Sequence, residues 1–325
     1  MLIIMKYPAL LPALILLAGC NSIQVDSVDV APYLDGRTSA ISFTFDDGML
    51  CHYTDIAPEL EKRDMRGTFW IIGSNMDTDS PDYPWMSWTQ VADLANRGHE
   101  ISNHTWHHPN LTQIPLDSVR WELQYCDSVL EAVVGHRPKT MAYPYNAMAD
   151  SVVAACAEGR VGTRTFQTAQ GQKESHQTAD SLSQWLKQIM SQHAWGVTMT
   201  HGTTYGWDMW EQPQLLYNFF TEVQQVRDSV WVGTFEEVAS YLAEAADVQI
   251  DSLQCGEQIR FVPSLRTLPM ALYTQPLTFR LHGKFGDARF AAVQGETTLE
   301  IQPVGDGLQL DALPNGVPVV VSKIF

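Results

Sequence analysis

The sequence predicts an α/β chain, a distorted (β/α)7 barrel followed by a small C-terminal antiparallel β domain. Between residues 39 and 246, short apolar strand patterns alternate with amphipathic helical patterns at the spacing of closely packed βα repeats. Residues able to do chemistry cluster directly after three of those strands, where a parallel barrel presents its functional loops. From 247 to 325 the pattern changes to short alternating runs separated by Gly, Asp and Pro turns, which reads as a small accessory β domain.

Taken in order, Ala40–Phe45 alternates apolar and small polar residues and then meets Asp46-Asp47-Gly48, a strand entering a loop. A helix at Asp55–Arg63 and a strand at Gly67–Ile72 follow. Trp88–Asn96 reads as a helix, and Glu100–Ser102 as a strand that runs into a His-rich loop. Ser118–Val134 is a long amphipathic helix, and Thr140–Tyr143 is the fourth strand. Helix Ala149–Ala157, strand Arg160–Thr165, helix Ser181–Gln192 and strand Gly196–Thr200 continue the alternation. Helix Gln214–Val226, strand Trp231–Gly233 and helix Phe235–Ala245 complete it. In the last part, Leu277–Leu281, Thr298–Ile301, Gly307–Leu310 and Val317–Val321 carry the β pattern. Residues 20–38 read as a polar spacer.

Of 325 residues, 45% are hydrophobic and 18% charged, enough apolar content for a sizeable core and a second small domain. The net charge of −17 repels phosphate backbones, so no nucleic-acid partner is expected. The five cysteines have no CxxC spacing, which excludes a zinc ribbon, and their pairing is not readable from sequence. The apolar run Tyr7–Gly19 follows Lys6. It is shorter than the roughly 20 residues a spanning helix needs and suits the apolar part of a secretory signal at 1–19.

Three loops carry the candidate chemistry. In Thr44-Phe45-Asp46-Asp47-Gly48, adjacent carboxylates at a strand end call for a positive group beside them. In His104-Thr105-Trp106-His107-His108, clustered imidazoles suit a borderline ion such as zinc. In Met199-Thr200-His201-Gly202, an apolar strand delivers a lone histidine. His99-Glu100-Ile101-Ser102-Asn103-His104 has one residue too many for the HExxH pattern, so a zinc protease of that type is excluded. The absence of GxSxG argues against a serine hydrolase. Tyr145, Trp106, Tyr205, Trp207 and Trp210 lie in or beside these loops, and their rings suit the apolar faces of sugars.

These segments resemble the polysaccharide deacetylases (the NodB homology domain, carbohydrate esterase family four). The resemblance covers about Thr38–Ala245 and rests on Thr44-Phe-Asp-Asp-Gly48, His104-Thr-x-x-His108 and Met199-x-His201. It implies one divalent metal, most commonly Zn2+, held by Asp47, His104 and His108, with Asp46 as general base toward metal-bound water. It also implies His201 as general acid and the Tyr145 backbone N–H as an oxyanion donor. The implied activity is removal of N-acetyl groups from an amino-sugar polysaccharide by a monomeric hydrolase. The alternatives are an O-acetyl esterase of the xylan type and a non-catalytic glycan-binding lipoprotein. Two departures stand out: Ala142 replaces the family's Arg in the Arg-x-Pro-Tyr motif, and the fourth motif's Asp is not evident around Thr163–Thr168. Arg164 is the candidate replacement for the missing Arg. Separately, Leu17-Ala18-Gly19-Cys20 resembles a bacterial lipobox, which implies lipidation of Cys20. Asn21 then points to the outer membrane in a Gram-negative envelope.

Overall fold

The computed structural model describes residues 24–324, so the signal segment and Cys20 lie outside the described residues. Two compact units divide the chain, one of residues 39–239 and one joining 24–38 to 240–324. Strand β1 (Gln24–Val30) belongs to the second unit. Among the described residues, no helix is long and apolar enough to cross a membrane.

The first unit is built on parallel strands. β2 (Ser39–Ser42) and β3 (Thr44–Phe45) form one run interrupted at Phe43. They are followed by β4 (Thr68–Ile71), β5 (Glu100–Asn103), β6 (Thr140–Ala142), β7 (Gly162–Arg164), β8 (Thr168–Ala169), β9 (Trp195–Met199) and β10 (Val230–Val232). One sheet has the order β3-β4-β5-β6-β7 and the other β10-β2-β9-β8, all in parallel register. They join because β9 also reaches the far half of the first run. Thr200 N–H donates to Thr44 O at 3.1 Å, and Asp46 N–H donates to Thr200 O at 2.9 Å. The sheet curls as a barrel does. No ladder joins β7 to β8 among the described residues, so the predicted barrel is an open curl there.

Helices α1 (Ala57–Glu61), α2 (Trp88–Asn96), α3 (Leu116–Val134), α4 (Asp150–Ala157), α5 (Ala179–Gln192) and α6 (Pro213–Gln225) lie between the strands, and α7 (Phe235–Asp247) follows β10. Their ends are chemically marked. Ser87 and Gln90 form a reciprocal capping box at the start of α2. α3 stops at Gly135, whose φ of +85° is the left-handed C-terminal conformation glycine adopts without penalty. The strand patterns read as buried on both faces: every residue of β2, β3, β4, β5 and β6 is buried. Phe43, at the interruption between β2 and β3, packs edge-on against Phe219 and Phe220 of α6, with ring centroids at 6.1 and 4.8 Å.

The second unit is two antiparallel sheets. Its later strands are β11 (Val248–Cys255), β12 (Gln258–Leu265), β13 (Leu277–Lys284), β14 (Arg289–Gln294), β15 (Thr297–Leu299), β16 (Ile301–Val304), β17 (Gly307–Ala312) and β18 (Val319–Ile324). The orders are β1-β13-β17-β16 and β11-β12-β18-β14-β15. Phe261 of β12 meets Phe279 of β13 at 5.4 Å, so the sheets pack face to face. The reading of residues 20–38 as a spacer is corrected over Gln24–Val30, which pairs antiparallel with β13 from Gln24↔Lys284 to Val30↔Phe279. A register break between Val25 and Ser27 puts the valines out of strict alternation, which hides the strand. All four cysteines within the described residues are free.

Because Phe43 is 1% exposed and sits where two sheets share one strand, Phe43→Ala is expected to lower the unfolding free energy by about 3–5 kcal/mol, read from urea titration.

Candidate metal centre

The loops after β3, β5 and β9 converge. Asp46 and Asp47 follow β3, His104 and His108 follow β5, and His201 follows β9. His104 Nε2 lies 3.5 Å from Asp47 Oδ1, and His108 Nε2 lies 3.8 Å from the same oxygen. One ligand atom from each of these three residues falls within 4.8 Å of the others. The rings of His104 and His108 meet edge to face at 4.8 Å. His201 Nε2 faces the other oxygen, Asp47 Oδ2, at 3.9 Å.

Three features fit a small divalent cation in the middle. Asp47 Oδ1 is buried and has no hydrogen-bond partner among the described residues, a costly state unless something positive sits against it. His104 Nδ1 lies 2.9 Å from the carbonyl of Ala142, which only an N–H can satisfy, so the Nε2 lone pair is left facing Asp47. The donor set of one carboxylate and two imidazoles is one zinc accepts, and the oxygen–nitrogen separations lie close to the roughly 3.3 Å that ligand bonds near 2.0–2.2 Å give in a tetrahedral site. Burial works against ionisation of Asp47, but positive charge facing it, carried by the imidazoles when they are protonated, overrides burial and holds its carboxyl well below the usual range.

Asp46 points the other way. It is 2% exposed, and Arg164 grips it with both terminal nitrogens, each 2.5 Å from a carboxylate oxygen. The same guanidinium donates to Thr44 Oγ1 at 2.9 Å and lies 5.6 Å from the centre of the Trp70 ring. Burial alone would raise the Asp46 pKa; the Arg164 charge and hydrogen bonds keep it lowered. Ala142 and Arg164 are directly paired across β6 and β7. Arg164 thus reaches Asp46 from the strand beside Ala142, at the same level.

The backbone of the site is strained. Asp47, Thr105, His108 and Tyr145 have φ of +85°, +67°, +58° and +57°, a region that β-branched Thr105 in particular rarely enters. Side chains hold the His loop in place. Thr105 N–H donates to Asn103 Oδ1 at 2.7 Å, and His108 N–H donates to Thr105 Oγ1 at 2.9 Å. Asn103 in turn donates to Asp127 Oδ1 at 2.6 Å, and Arg160 and Arg137 both pair with that carboxylate. The sequence reading missed Asn103 and Asp127. A buried asparagine two residues before a positive-φ position is the signal for the first; nothing local marks the second.

The aromatic candidates divide. Tyr145 is 67% exposed with its ring 4.6 Å from that of His108, and Trp207 stands edge-on to His201 at 5.0 Å. Both rings border the centre. Tyr205 is corrected as a sugar contact: its hydroxyl accepts from Cys51 N–H and donates to Pro84 O, bracing two loops. Trp210 is fully buried in the core. Trp106 is half-buried, lying so close over Gly73 that a Cβ there would come within 2.2 Å of the indole. His52, also unanticipated, is fully buried and donates from Nε2 to the carbonyl of His201 at 2.7 Å. Burial pushes its pKa down to about 4, against the pull of that carbonyl. His201 Nδ1 is buried without a hydrogen-bond partner among the described residues.

Residues 34–161 match the family model described as polysaccharide deacetylase. The chain is 32% identical over 106 residues to a peptidoglycan-N-acetylglucosamine deacetylase of Bacillus cereus, a match spanning 32% of this chain and 36% of that one. It is 29% identical over 135 residues to a chitin deacetylase of Amylomyces rouxii, spanning 41% and 30%. The chain therefore spans about a third of the length of these curated relatives. The solved structure of peptidoglycan deacetylase PdaC from Bacillus subtilis is similar with a TM-score of 0.48 at 17% identity, over 64% of this chain and 94% of that one.

Two outcomes follow from this geometry. Arg164→Ala strands a buried carboxylate and is expected to cost about 3–5 kcal/mol in urea unfolding. Adding Ala142→Arg, from the paired position, is expected to restore most of that loss, whereas Arg164→Lys, lacking the fork, restores little. For His52, the folded pKa lies below the unfolded value of about 6.5, so the neutral ring is favoured by folding. The associated stability is present above pH 6.5 and is lost as pH falls toward about 4, by up to about 3 kcal/mol. Urea midpoints across that window should decline less in His52→Gln than in the parent.

Proposed function

We propose, on the premise that the chain belongs through residues 34–161 to the polysaccharide deacetylase family, that it is a metal-dependent hydrolase removing N-acetyl groups from an amino-sugar polysaccharide. The observation that carries this is the meeting of two carboxylates and three imidazoles from three strand ends, with one carboxylate oxygen buried and unpartnered.

A divalent cation held by Asp47, His104 and His108, with zinc the best match to the donors, supplies Lewis acidity and brings the pKa of water toward about 7. The remaining work falls to the chain. Arg164 keeps Asp46 ionised and fixed in orientation, so that Oδ2, 3.9 Å from His104 Nε2, receives a proton from the attacking water. The Tyr145 N–H, exposed by the left-handed turn of that residue, donates to the oxygen that gains charge as the carbonyl is attacked. An amine leaves poorly as an anion, and His201 Nε2, on the far side of Asp47, delivers the proton it needs. Trp207 and Tyr145 border the opening and offer ring faces to the sugar. We further propose that lipidation at Cys20 anchors the protein in the cell envelope.

One observation favours the O-acetyl esterase reading. His201 Nδ1 has no carboxylate partner among the described residues to orient the ring, and an alkoxide departs with less help from an acid than an amine does.

The test measures acetate released by the zinc-loaded full chain from chitopentaose and from acetylated xylan. Release from chitopentaose that falls at least about 100-fold in both Asp46→Asn and His104→Ala is the expected result. Preference for xylan would move the assignment to the esterase. Release from neither, with zinc bound, would leave the glycan-binding lipoprotein.

A further inference from the structure

A row of aromatic rings runs from the metal loop onto the solvent side of α3. His107 lies between Trp106 and the candidate ligand His108 in the chain, and its ring stacks on Trp121 with centroids 5.7 Å apart and planes 12° apart. Trp121 stacks in turn on Tyr125, one helical turn later, at 5.1 Å and 7°. Near-parallel rings at such separations are offset rather than eclipsed. Trp121 is 49% exposed, Tyr125 43% and the His107 side chain 55%.

The row is built rather than incidental. Two oxygens of the buried Glu122 hold His107, one accepting from its backbone N–H at 2.7 Å and one 2.8 Å from Nδ1. Trp106, seated over Gly73, closes the set of rings, edge-on to His107 at 6.2 Å and nearly perpendicular to Tyr125 at 4.6 Å. The buried face of α3 is filled by Val119, Leu123, Cys126 and Leu130, so among the described residues the outer aromatics pack only on one another and on Trp106 and His107. Nothing in the mechanism above uses them.

We infer that His107, Trp121 and Tyr125 form a subsite for sugar residues of a polysaccharide strand, next to the residue whose acetyl group lies at the metal centre. The inference rests on the deacetylase reading for the identity of the strand. Continuity selects this occupant, because the row starts one residue from a candidate metal ligand. Pyranose rings present flat C–H faces that lie against aromatic faces without needing charge. An anionic membrane surface is a poor match, since Arg120 is the one basic residue of α3 and it is paired with Asp117 and Glu158.

The experiment compares the full chain with its Trp121→Ala/Tyr125→Ala double variant, both zinc-loaded. Native electrophoresis through gels containing glycol chitin or acetylated xylan reports binding independently of turnover. The ratio of kcat/KM on chitopentaose to that on chitobiose reports the subsite during catalysis. Expected are retardation of the parent, loss of most of it in the variant, and a fall in the ratio of about tenfold, with zinc content unchanged. Equal retardation of the two proteins, or no retardation of the parent by either polymer, overturns the subsite. If the parent is retarded and the variant is not, while neither releases acetate, the subsite stands and the deacetylase reading fails. A second copy of the chain as occupant would show as a parent dimer lost in the variant with glycan retardation unchanged, which also overturns it.

Discussion

The site depends on the fork between Arg164 and Asp46. Two consecutive aspartates at a strand end repel each other and resist burial, and a fold that buries one and half-buries the other must neutralise them from two directions. Arg164 deals with one, at 2.5 Å to each oxygen. That leaves Asp47 free to turn toward the histidines with an oxygen that nothing in the chain satisfies. One carboxylate is thus committed to the protein and its neighbour is left open for a cation. The division of labour between them follows from which has the guanidinium.

Around that pair the backbone is held where it would not rest unaided. Residues of the Asp, His and Tyr loops occupy left-handed conformations, each at a cost of order 1–3 kcal/mol. The His loop is secured by Asn103, and Asn103 by a carboxylate that two arginines clamp. The chain of hydrogen bonds runs from α3 through β5 to the imidazoles. A change at Asp127, buried within α3, therefore reaches the metal loop through strain rather than contact.

The sequence made the alternating α/β unit legible because its strands are buried on both faces and end in recognisable loops, and the three loops with Asp46, Asp47, His104, His108 and His201 do meet in space. Arg164 stood out as a candidate for the charge the resemblance leads one to expect at Ala142, and strand pairing puts the two positions side by side. Other features were not legible. Tyr205 and Trp210 share composition with sugar platforms but spend their polar group or their whole surface on the fold. Trp121 and Tyr125 sit at helical spacing, where an aromatic pair reads as core until its exposure is known. Strand β1 escaped notice because a bulge breaks its alternation.

The pairing of that strand has a consequence in time. Asp29 meets Arg280 across 251 residues of chain, so as the polypeptide is made, β1 has no partner until most of the described residues after it exist. The whole parallel unit, with its shorter-range strand pairs, is available to fold in the interval, and the antiparallel unit closes last. Meanwhile Gln24–Val30 is an unpaired, valine-bearing strand in a crowded setting. Asp26 and Asp29, spaced through it, place charges where such a segment would otherwise recruit a neighbour, so the acidity of this strand serves its waiting period as much as its final ladder.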